Sequence, residues 1–200
     1  MKPYSEADFE KNISKVYFSV FANEDPYENP LQPGMHYRLL LYTFSYGLND
    51  YEPWLNPVVK TMKDLNEDGF YVTVLGPLNF IEEARHWYVP IEEAGTFMNT
   101  TYPRENAIYS INGHWGIIGS DEEHGVAGGN AIFYNNLLSA VSDWDERLDM
   151  FLRAWKRFHL EKRGNLDISW LPPLLTHIYG SVKMQSLLRK TDLDWLIKLD

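Results

Sequence analysis

Apolar residues recur at helical spacing near the start of the chain. Phe9, Ile13, Val16, Tyr17 and Val20 share one face, with Ser5 as the cap and Glu6 and Asp8 in the first turn. Residues 23–34 carry three prolines and read as a loop. Residues 35–46, rich in Tyr, Leu and Phe, read as a strand covered on both faces. A second helix is predicted over 53–66. Its stripe is Trp54, Leu55, Val58, Val59, Met62 and Leu65, and Gly69 lies just past its end. Residues 70–75 form a strand pattern stopped by Gly76 and Pro77. Residues 78–105 fit either a helical turn over 80–87 or a short strand over 87–89.

The sharpest local pattern is a hairpin. Residues 107–111 and 114–118 flank Asn112-Gly113, a pair suited to a type I′ turn because both central residues then take positive φ. This register sets Ser110 opposite Trp115. It puts Ile108, Ser110, Trp115 and Ile117 on one face and Tyr109, Ile111 and His114 on the other. The chain returns through Gly125-Val126-Ala127, and Gly128-Gly129 leads into a helix carrying Ile132, Phe133, Leu137, Leu138 and Val141. Asp143 is placed to cap a longer helix with Leu148, Phe151, Leu152, Trp155 and Phe158 inward, ending near Gly164. A short helix follows Trp170-Leu171-Pro172-Pro173 up to Gly180, and the tail fits a strand and a helix or two short helices. The order predicts one α+β domain over residues 1–200: a largely antiparallel sheet covered by helices, with a helical C-terminal third.

Charge changes the picture of partners. Eighteen Lys and Arg oppose twenty-eight Asp and Glu, for a net charge of −10. Residues 1–150 hold nine cations against twenty-three carboxylates, and residues 151–200 hold nine against five. The acidic body repels phosphate backbones, so nucleic acid is not an expected partner. It steers a basic protein instead, or simply keeps the chain in solution. No apolar run approaches the length of a membrane span, residues 1–10 are polar and acidic with no apolar run behind a basic start, so no targeting segment is expected, and there are no cysteines. These features point to a cytoplasmic protein with no membrane partner.

The chemistry of the chain concentrates between His114 and Gly129. Asp121, Glu122, Glu123 and His124 gather carboxylates and an imidazole on one loop. They suit partner binding, or a divalent metal and acid–base work with His114, or nothing beyond a solvated turn. No calcium-loop, P-loop or dinucleotide pattern accompanies the glycines, which suit turns and close packing. Ser120 lacks the Gly-x-Ser-x-Gly setting of a hydrolase nucleophile. The pairs Glu82-Glu83 and Glu92-Glu93 read as solvated faces. No cofactor or metal is called for. Thirteen Tyr, seven Trp and ten Phe suit a large aromatic core, a recognition surface or sugar stacking. Trp115, beside the acidic loop, is the candidate anchor.

The stretch from Trp115-Gly116-Ile117-Ile118 to Glu123-His124-Gly125-Val126-Ala127-Gly128-Gly129 resembles a strand–loop–strand segment of bacterial polymorphic-toxin immunity proteins, over residues 107–140. The resemblance implies a cytosolic inhibitor that binds a toxin domain and catalyses nothing. The leading expectation is therefore a non-enzymatic binding protein that engages a basic protein partner through Trp115, Asp121, Glu122, Glu123 and His124. A metal-assisted hydrolase around His114–His124 and a carbohydrate-binding module are the alternatives.

Overall fold

The computed structural model describes residues 1–42, 52–75, 84–96, 105–120, 124–141 and 143–198. The predicted helix at the start is two helices, α1 (Glu6–Asn12) and α2 (Ser14–Val20), which bend at Ile13. The bend has a local cause: Ser14 Oγ donates to the Glu10 carbonyl at 2.8 Å, competing for the turn. Ser5 caps α1 as predicted, accepting from the Asp8 amide at 3.1 Å. Ahead of α1 lies β1 (Lys2–Tyr4), a strand the pattern did not predict. Three residues give no alternation to read, and Pro3 is tolerated because β1 forms a sheet edge.

The remaining strands are β2 (Tyr37–Tyr42), β3 (Gly69–Val74), β4 (His86–Pro90), β5 (Asn106–Ser110), β6 (Trp115–Gly119) and β7 (His124–Gly129). They form one antiparallel sheet in the order β1-β4-β3-β5-β6-β7-β2. The fold class is α+β, as the pattern predicts. β4 bears out the strand reading at 87–89; most of the alternative turn over 80–87 lies outside the described residues. The 43–46 end of the predicted β2 lies outside the described residues.

The hairpin joins β5 to β6 in the predicted register, with Ala107 opposite Ile118 and Tyr109 opposite Gly116. Its turn differs. Only Gly113 takes a positive φ, 69°. Ser110 Oγ accepts from the Asn112 amide at 3.1 Å and holds Asn112 in an ordinary conformation, while the Gly113 amide closes on the Ser110 carbonyl at 3.1 Å. This is a turn ended by one left-handed glycine rather than a type I′ pair.

Helices cover both faces. One face packs against α1, α2 and the C-terminal helices α5 (Trp144–Glu161), α6 (Leu171–Tyr179) and α7 (Ser181–Lys190). The other packs against α3 (Glu52–Asp64) and α4 (Ala131–Ala140). Val58 and Met62 of the predicted α3 stripe are buried; the side chains of Trp54 and Leu55 lie outside the described residues. α3 ends on Asn66 at φ 56°, with the Glu67 amide on the Met62 carbonyl and the Asn66 amide on Lys63. That is a Schellman stop with asparagine in the left-handed place. Gly69, predicted to fill that role, instead starts β3, where a Cβ would lie 2.6 Å from the Val89 carbonyl. Asp143 precedes α5 without capping it; its carboxylate accepts from Arg147 Nε at 2.8 Å. The tail is helical, α7 followed by a 3-10 turn (Asp194–Lys198).

Candidate functional site

The register places Trp115 on the same face as Ile108 and Ile117, and that face is covered by α3 and α4. Trp115 is fully buried and stacks on Phe133, with centroids 5.0 Å apart and planes within 4°. Its Nε1 donates to Glu67 Oε2 at 3.0 Å, and Glu67 Oε1 accepts from Ser110 Oγ at 2.6 Å. The Schellman stop delivers Glu67 to this spot. Trp115 thus satisfies its polar atom inside the core and presents nothing to a partner, which corrects its reading as an exposed anchor.

His124 opens β7 at the other end of the sheet. Trp115 pairs with Gly129 and Gly119 with Gly125, so His114 and His124 sit at opposite ends of β6, roughly 20 Å apart by strand rise. They cannot share a metal. Among the described residues, no group of three or more His, Asp or Glu is placed to hold one. Asp121, Glu122 and Glu123 lie outside the described residues, as do Glu82 and Glu83.

His124 is buried and works from inside. Its Nε2 lies 3.3 Å from the Pro26 carbonyl, which can only accept, so Nε2 carries the proton. Nδ1 lies 2.9 Å from Ser120 Oγ, a hydroxyl that completes the pair of ring hydrogen bonds. The ring stacks on Trp170 at 5.2 Å and meets Tyr27 edge-on at 4.8 Å. These contacts pin the loop between α2 and β2 to the sheet. The loop also closes on itself: the Ala22 amide donates to Pro30, the Gln32 amide to Val20, the Asp25 amide to Asn23 Oδ1 and the Tyr27 amide to Asp25 Oδ1. Glu24, Asp25 and Glu28 stand exposed on it.

That loop meets α1 at the start of β4. Arg85 Nη2 pairs with Glu24 Oε2 at 2.9 Å, and His86 Nε2 lies 3.3 Å from Glu6 Oε2. Glu6, Asp8 and Glu10 are exposed on α1. Residues 1–30 thus carry six carboxylates against Lys2, Lys11 and Lys15. Phe18 on α2 is 55% exposed, and its carbonyl accepts from Gln32 Nε2 at 3.0 Å, at the base of the loop. Behind this face, His86 Nδ1 lies 3.0 Å from Thr73 Oγ1, which lies 3.1 Å from the Tyr109 hydroxyl. Burial lowers the His86 pKa, and the hydrogen bond and charge of Glu6 oppose this. Burial raises the Tyr109 pKa. The order carboxylate, imidazole, hydroxyl, phenol resembles a proton relay, yet Thr73 and Tyr109 are sealed in the core, so it is a structural seam.

Sequence reasoning missed this face because its residues come from α1, the proline loop and β4. The available signal was composition: the loop at 23–34 is acidic as well as proline-rich. No helix among the described residues is long and apolar enough to cross a membrane. Compared with family models, curated proteins and solved structures, the chain matches none.

Proposed function

We propose that the protein acts by binding, and that the face formed by α1 and the Glu24–Asp25–Glu28 loop docks a basic surface of another protein, the immunity-type role. One observation carries this reading: the loop's exposed carboxylates are held in a fixed shape by buried His124 and the half-buried rings of Tyr27 and Trp170. A loop ordered before binding loses little entropy on binding. Carboxylates at the rim speed encounter with a cationic partner, and an exposed aromatic such as Phe18 supplies an apolar anchor.

The test is comparative capture from a lysate of the native cell at low salt. The bait is either the native chain or the Glu24→Lys/Asp25→Lys/Glu28→Lys variant. The expected result is a basic protein retained by the native chain and lost by the variant. Identical captures, or a retained partner that is acidic, would overturn the proposal.

A further inference from the structure

A cavity of about 550 Å³ opens beside the edge strand β2, between α6 and the inner side of the segment 22–33. Arg38 forms part of its wall. The guanidinium donates from Nε to the Met35 carbonyl at 2.6 Å, from Nη2 to Gln32 at 3.1 Å and from Nη1 to the His177 carbonyl. All three acceptors are neutral. Among the described residues no carboxylate pairs with Arg38. Burial lowers its pKa. A half-buried cation without a counter-charge is costly, and it persists where something supplies the charge or where water reaches it.

His177 adds a second anomaly. The Leu31 amide points at its Nε2 from 3.4 Å, and Arg38 Nη1 faces its Nδ1 from 3.2 Å. Burial and the Arg38 charge push its pKa down to about 4, so the ring is neutral near pH 7. A neutral imidazole has one lone pair and one N–H. Both nitrogens face donors, so in either tautomer one proton confronts another. With Nε2 accepting from Leu31, the Nδ1 proton and an Arg38 proton point at the same place. An anionic oxygen seated beside that pair accepts from both and supplies the missing charge.

The other walls define the class of anion. Leu31, Pro172, Pro173 and Met184 are apolar, and Thr176 adds a hydroxyl. Pro172 and Pro173 remove two amides from the first turn of α6, so no array of N–H groups is available for a phosphate. The volume suits a small organic molecule. We infer that this cavity binds an organic monocarboxylate, its carboxylate on Arg38 and His177 and its apolar body against Pro172, Pro173 and Met184. This site is independent of the acidic face, and either can fail without the other.

Octanoate is the probe, with octanol as its uncharged counterpart and inorganic phosphate as the plain anion, each titrated into the full chain and followed by amide and imidazole NMR signals. The expected result is saturable octanoate shifts at Leu31, Arg38, Thr176 and His177, with affinity at least about tenfold above octanol. Arg38→Met should erase that preference, although it also strips donors from three carbonyls. The exposed Pro173→Glu variant avoids this difficulty. It puts a carboxylate at the rim of the same cavity, in a helical first turn that favours acids. It should fold normally and weaken octanoate at least about tenfold. Equal binding of octanol, displacement of octanoate by phosphate, or unchanged octanoate binding in Pro173→Glu would each overturn the inference.

Discussion

Glu67 is the residue on which the interior reading of Trp115 turns. Its two oxygens take one proton each from Ser110 and Trp115, with no water-facing alternative for either donor. Glu67→Ala strands both donors. A buried unsatisfied donor costs about 1–3 kcal/mol, and the lost methylenes add to this. The expected destabilisation is about 3–5 kcal/mol. Glu67→Gln keeps the shape: its oxygen accepts from Trp115 and its amide donates to Ser110 Oγ, so the expected loss is only about 1–2 kcal/mol. Urea unfolding followed by tryptophan fluorescence separates the two, provided the denaturant slope stays constant across variants. Trp115→Phe, combined with Glu67→Ala, should cost less than the two single changes added together, because the pair acts as a unit. If Glu67→Ala unfolds within about 1 kcal/mol of the native chain, the carboxylate is not what holds Trp115 in the core.

Gly116→Ala should lower the melting temperature by several degrees, since its Cβ would lie 2.4 Å from Val20 Cγ1 and 2.7 Å from Phe21 Cζ; Gly34→Ala, with nothing within 4 Å, should leave it unchanged, and scanning calorimetry of both checks this. Asn130→Ala should destabilise by about 1 kcal/mol in urea melts, because Asn130 Oδ1 caps α4 through the Phe133 amide. The His177 pKa is depressed from 6.5 to about 4 by burial and by facing Arg38, so its contribution to stability is complete above pH 6.5 and is lost as pH falls towards 4. A His177→Gln variant should show a shallower fall in stability across that window; an identical slope would remove His177 from the account.

Much of the fold was legible because it follows from periodicity. The alternation around Asn112-Gly113 fixed the β5–β6 register, and the stripe containing Val58 and Met62 marked α3. What stayed hidden depends on partners distant in the chain. β1 exists only because Lys2 and Tyr4 pair with Tyr88 and His86. Trp115 was singled out for its type and its acidic neighbours, but its polar partner, Glu67, lies 48 residues earlier. The alternation that put Trp115 with Ile108 and Ile117 already placed it on an apolar face, and that signal outranks residue type. His124 was singled out with Asp121, Glu122 and Glu123 as a partner-binding residue, yet its side chain is buried, and the loop it holds is that at Pro26, 98 residues away. Arg38 drew no notice in a segment read only as a covered strand, and its meeting with His177 across 139 residues leaves no local trace in the pattern.

Under the proposed function, the carboxylates of α1 and the 22–30 loop steer a cationic protein onto this face. The most direct measurement is the association rate of the captured partner across a salt series, for the native chain and for the Glu24→Lys/Asp25→Lys/Glu28→Lys variant. Charge steering is screened within about 10 Å at 0.1 M salt, so the native rate should fall by an order of magnitude or more between low and high salt. The variant should start slow and vary little. A native rate that is flat with salt, or equal to that of the variant at low salt, would contradict the account.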